Sequence, residues 1–115
     1  MGLRSLNFDK RVIATAKVIE SHLPSGATHI TIKKWSPFIF NSDLGGSEFA
    51  NIDILTADKI LCQVVVREFG MGKPEVRYKK DEDKETATKL AREIKRSGKY
   101  IFMPLVERVP YLGSY

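Results

Sequence analysis

Residues 48–69 read EFANIDIL, then TADK, then ILCQVVVREF. Two strand-length runs joined by four turn residues specify a hairpin, since so short a link lets neighbouring strands run only antiparallel. Any fold open to this chain must cover at least one face of that hairpin. On the second strand Ile60, Cys62, Val64 and Val66 share a face, so Cys62 is expected to be a buried, inert thiol. The other face, Leu61, Gln63, Val65, Arg67 and Phe69, mixes apolar and polar side chains. That mixture implies partial cover there too, by another subunit or by the C-terminal segment.

The remaining elements follow from periodicity. Val12, Ile13, Ala16, Ile19 and Leu23 recur at helical spacing and predict a helix over 8–22. Asn7 or Asp9 is expected to accept its first amide hydrogens, and Pro24-Ser25-Gly26 ends it. ATHITIKKW, 27–35, alternates as a strand, with Ile30 and Ile32 on one side and His29, Thr31, Lys33 and Trp35 on the other. A loop with Pro37 and Gly45-Gly46 leads to the hairpin, and a turn at 70–74 leads from it to the short strand EVRYKK. In DEDKETATKLAREIKRSG, the stripe Ala87, Leu90, Ala91 and Ile94 predicts a second helix. Asp81 would cap it, Lys95 and Arg96 suit its carboxyl end, and Gly98 is its left-handed stop. KYIFMPLVERV closes as a strand whose Pro104 requires an edge or a bulge. The order α-β-β-β-β-α-β predicts a single α+β domain, mainly antiparallel, with helices on at least one sheet face.

A chain of 115 residues, 43% apolar and 29% charged, suits one core. Its single cysteine excludes a disulfide framework and points to a reducing, cytoplasmic compartment. No apolar run approaches the ~20 residues of a membrane span. The start, MGLRSLNFDKR, lacks the apolar stretch of a secretory signal. Net charge is +5, with six Lys/Arg against four Asp/Glu in 1–50 and thirteen against ten in 51–115. The excess is thus spread along the chain, and it favours polyanionic partners. Cys62, His22 and His29 lack metal-ligand spacing, and GMGKP lacks that of a phosphate loop. His22 is expected to interact with the dipole at the end of the first helix.

One residue of the hairpin bears on catalysis. Asp53, which follows a glycine-containing loop and Glu48, resembles in position the metal-binding aspartate of the restriction-endonuclease-like nucleases, and the element order is similar to theirs. The resemblance implies a magnesium- or manganese-dependent nuclease. In such a site a Glu-x-Lys pair on the next strand helps hold the metal and position the attacking water. Gln63-Val64-Val65 stands where that pair is needed, which leaves Arg67 as a displaced cation and Glu20 of the first helix as an extra carboxylate. The plainer reading is a hairpin whose Asp53 and Gln63 face solvent.

Binding features are denser. Lys33 and Trp35 lie opposite Ile30 and Ile32, while Arg77 and Lys79 lie opposite Val76 and Tyr78. If those faces coincide, cations for phosphates surround Trp35, which can stack on an unpaired base. Lys34, Lys80 and the group Arg92, Lys95, Arg96 and Lys99 would widen the surface. The bland account of that group is a salt-bridged helix, given Glu85, Lys89 and Glu93 four apart. Trp35, Phe38, Ile39 and Phe40 in a loop, with Tyr111, Leu112 and Tyr115 in the tail at 109–115, form the expected protein interface unless they fold back over the core. The sequence therefore points to a non-catalytic module without a cofactor. It would bind nucleic acid on a basic surface, and a protein partner or further copies on its aromatic segments. The alternatives are a structural subunit of an assembly without nucleic-acid contact, and the metal-dependent nuclease or a degenerate relative.

Overall fold

Backbone register joins all the predicted strands into one sheet. The computed structural model describes residues 3–35, 49–67, 74–98, 100 and 102–112, with the side chains of 3–7 and of Trp35 outside the description. Its elements are α1 (Leu3–Ser21), β1 (His29–Trp35), β2 (Phe49–Leu55), β3 (Ile60–Arg67), β4 (Glu75–Tyr78), α2 (Lys84–Arg96) and β5 (Leu105–Arg108). The strands lie side by side in chain order, β1 to β4 antiparallel, and β5 joins β4 in parallel after the chain crosses through α2. This is the expected α+β order. At the β2–β3 turn the Thr56 amide donates to the Lys59 carbonyl at 2.9 Å, and the Thr56 hydroxyl donates to Asp58 Oδ1 at 3.1 Å.

One face of the sheet supplies Ala50, Ile52, Ile54, Cys62, Val64, Val66, Val76 and Tyr78 to the core. Phe8, Val12, Ala16 and Ile19 of α1 and Ala87, Leu90, Ala91 and Ile94 of α2 meet them there. Burial of each larger side chain stabilises the fold by about 1.5–3 kcal/mol. Both helices therefore lie on the same face. Polar ties at the margin agree: Lys34 donates to Asp9 of α1 at 2.5 Å, and Arg11 donates to the Arg67 carbonyl at 2.6 Å.

Several local expectations are corrected. Because α1 starts at Leu3, Asn7 and Asp9 lie within it and do not cap it; Asp9 serves as the partner of Lys34. Its buried stripe is Phe8, Val12, Thr15, Ala16 and Ile19, whereas Ile13 is 52% exposed and Leu23 is exposed beyond the helix. The sheet meets the side that carries Thr15, whose hydroxyl lies 2.6 Å from the Tyr100 hydroxyl and donates to the Arg11 carbonyl at 2.7 Å. A polar residue can join the core when both its hydrogen-bonding roles are filled. At α2, a single 3-10 turn (Asp81–Asp83) precedes the helix, so Asp81 is not its cap; Asp83 occupies that position without a side-chain bond. Gly98, at φ +78°, is the left-handed stop that was expected. The last strand is shorter than KYIFMPLVERV: it begins after Pro104 and lies at the sheet edge, where a missing amide hydrogen is tolerated. Among the described residues no helix is long and apolar enough to cross a membrane.

Candidate functional site

The sheet face turned away from the helices carries most of the polar residues singled out above. Register places Thr31, Asp53, Gln63, Arg77 and Glu107 in one row across the five strands, with Lys33, Asn51, Val65, Glu75 and Leu105 in the next. The centre of this face is closed to solvent, for Asp53 and Gln63 are each 2% exposed. The solvent-facing pair of the plainer hairpin reading is thereby overturned, while the partial cover implied by Leu61, Gln63 and Val65 is present: all three are buried.

Gln63 Nε2 donates to Asp53 Oδ1 at 2.7 Å, so the two polar side chains satisfy each other where water is excluded. On β4, Glu75 and Arg77 alternate on the same face. Glu75 Oε1 accepts from Arg77 Nη2 at 2.8 Å and Nε at 3.2 Å, and Oε2 accepts from Arg67 Nη1 at 2.8 Å. An acid-x-cation pair thus exists, two strands away from Asp53 and turned inward on itself. Glu20 is exposed on α1, across the sheet from Asp53, and Glu48 lies outside the described residues. Among the described residues no group of three or more His, Cys, Asp or Glu could hold a metal ion.

The proposed basic sheet surface is dispersed by the same geometry. Lys33 and Arg77 do share a face, but three strand spacings, about 14 Å, lie between β1 and β4. Arg77 is committed to Glu75, and Lys34 points to the opposite face and to Asp9. Lys79 and Lys80 are exposed just past β4, between Lys59 on one side and Arg108 on the other. Arg108 there donates to the Lys79 carbonyl at 3.2 Å and approaches Asp81 at 3.5 Å.

Cations gather instead on the outer side of the helix pair. With Ala87, Leu90, Ala91 and Ile94 buried, helical geometry turns Lys89, Arg92, Lys95 and Arg96 outward, and all four are exposed. Arg96 shares Glu93 at 3.4 Å, Lys89 lies 3.6 Å from Glu85, and Arg92 and Lys95 have no acidic partner among the described residues. Lys17 of α1 borders the same shallow hollow as Arg96. His22, one residue beyond α1, stands 3.6 Å from Glu93, so a carboxylate and not only the helix dipole faces it. Lys99 lies outside the described residues. Spacing alone could have added Lys89 to the group, whereas Lys17 required the packing of α1 on α2.

The aromatic segments divide similarly. Tyr111 is 73% exposed, while Leu112 is half-buried beside Ile60, Leu61 and Lys80, and the Val109 amide donates to the Tyr78 carbonyl at 2.8 Å. The tail through 112 therefore folds back against the end of the sheet and leaves Tyr111 outward. Phe38, Ile39, Phe40 and Tyr115, together with the Trp35 side chain, lie outside the described residues. In the core, burial foremost and the Asp83 carboxylate next push the Cys62 thiol up to about 12, which fits the inert role expected of it. Burial likewise raises the Tyr100 hydroxyl, against smaller opposing effects from Thr15 and Arg11. Comparison with protein-family models, curated proteins and solved structures finds no match to this chain.

Proposed function

We propose that this chain is a non-catalytic binding module that docks nucleic acid on the outer surface of its helix pair. One observation carries the reading: Lys89, Arg92, Lys95 and Arg96 follow each other along the exposed side of α2, with Lys17 added from α1 and Glu93 as the one acid within that stretch of α2. The four span about 10 Å of helix axis, a compact run of positive charge on a rigid element. Contacts of this type bind the phosphate backbone without reading sequence. The net charge of +5 supports the same partner by drawing polyanions from a distance.

Fluorescence anisotropy with mixed-sequence single-stranded and duplex oligonucleotides tests it. Arg92→Ala/Lys95→Ala/Arg96→Ala should weaken binding by about tenfold or more at fixed salt, while Lys33→Ala/Arg77→Ala should leave it nearly unchanged. Equal losses from both variants would contradict the placement on α2. A protein partner is the second reading, favoured by Tyr111, which projects beyond the last strand. Tyr111→Ala should then remove a partner while the melting temperature stays put.

A further inference from the structure

His22 stands where the two helices meet, within the basic surface and not at its margin. Its amide donates to the carbonyl of the fully buried Ile19 at 3.0 Å, which fixes it one step past the end of α1. Its Nε2 lies 3.6 Å from Glu93 Oε1 on α2. The same carboxylate holds Arg96 Nη1 at 3.4 Å, so one acid faces both a permanent cation and a histidine. Around His22 the bordering charged side chains are Lys17 of α1 and Lys89, Glu93 and Arg96 of α2. The chain that follows α1 contributes only the uncharged Leu23, Pro24 and Ser25 there.

We infer, on the docking reading above, that His22 makes nucleic-acid binding at this surface pH-dependent and tighter as its ring gains a proton. Histidine is the side chain whose charge ordinarily changes between pH 5 and 8, while lysine and arginine stay charged throughout. With His22 neutral, Glu93 keeps Arg96 as its partner and repels an arriving phosphate. With His22 protonated, Glu93 gains a second cation across the helix pair and its hold on Arg96 weakens. The surface then carries one more positive charge, and Arg96 turns to a phosphate at less cost. By linkage, phosphates beside His22 favour the protonated ring as much as the protonated ring favours phosphates. Binding therefore takes up a proton, and affinity rises as pH falls. One added phosphate contact is worth about three- to tenfold in affinity near 0.1 M salt. The other histidine, His29, belongs to β1, where its Nδ1 lies 2.7 Å from the Thr28 hydroxyl. That strand is the sheet edge far from β4 and β5, on which α2 packs.

Anisotropy titration of a mixed-sequence duplex oligonucleotide at constant ionic strength, between about pH 8 and 5.5, reads the outcome. The natural chain should bind about three- to tenfold tighter at the acid end. His22→Gln should hold the alkaline affinity at every pH, and His22→Lys should hold the acid affinity. His29→Gln should respond to pH as the natural chain does. The unaltered protein also gives a reading that no variant's folding can confuse: its salt slope should steepen by about 1 between the two ends of the range. Binding that ignores pH, equal slopes, or a response that survives in His22→Gln overturns the inference and leaves the docking reading standing. No binding at either pH defeats the docking reading, and this inference with it.

Discussion

The carboxylate of Asp53, 2% exposed, receives its hydrogen bond from the side-chain amide of Gln63. Removing one member of such a buried pair strands the other, at about 1–3 kcal/mol. Gln63→Ala should therefore lower unfolding stability by that amount in urea titration. The double variant with Asp53→Ala should lose less than the two single losses added together, and strict additivity would mean the pair is not coupled. The Cys62 thiol offers a second residue-scale test. Its folded value, about 12, lies above the unfolded 9.0, so the unfolded chain releases its proton first as pH rises. Stability from the neutral buried thiol is complete below pH 9 and is lost between about 9 and 12, at about 1 kcal/mol per pH unit at most. Cys62→Ala should flatten that alkaline decline in thermal melts, leaving the part that Tyr100 contributes in the same direction.

At the scale of elements, α2 was legible because its signals agree: an apolar stripe, acids before it, bases at its end and Gly98 beyond. Among the described residues nothing crowds the space where a Gly98 side chain would sit, so its positive φ is what opposes substitution. Gly98→Ala is expected to cost about 1 kcal/mol, seen as a lowered melting temperature with unchanged binding. The buried side of α1 was less legible. Ile13 and Phe8 both fit helical stripes, and the choice between them rests on which side meets the sheet and on the Thr15–Tyr100 bond across 85 positions of chain. The hairpin was readable, yet the destiny of its polar face was not. Whether Arg77 is open to a ligand depends on Glu75 beside it and on Arg67 across β3, a register that spacing within one strand does not encode.

Over the whole molecule, the two helices share one sheet face, and this arrangement separates the charges. Arginines on the far face are drawn to Glu75, while the bases of α2 face outward with Lys17 beside them. The exposed bases of the second half of α2 thus stand together on one side of the helix layer, with the acids of the helix start, Asp81 to Glu85, at its other end. If phosphates dock there, each neutralised contact releases condensed counterions, and the logarithm of the binding constant falls linearly with the logarithm of salt concentration. The most direct measurement is that slope, compared between the natural chain and Arg92→Ala/Lys95→Ala/Arg96→Ala. A steep dependence for the natural chain, shallower by about 2 to 3 in the triple variant, places the phosphates on α2. Identical slopes, or no binding to any oligonucleotide at low salt, would contradict it.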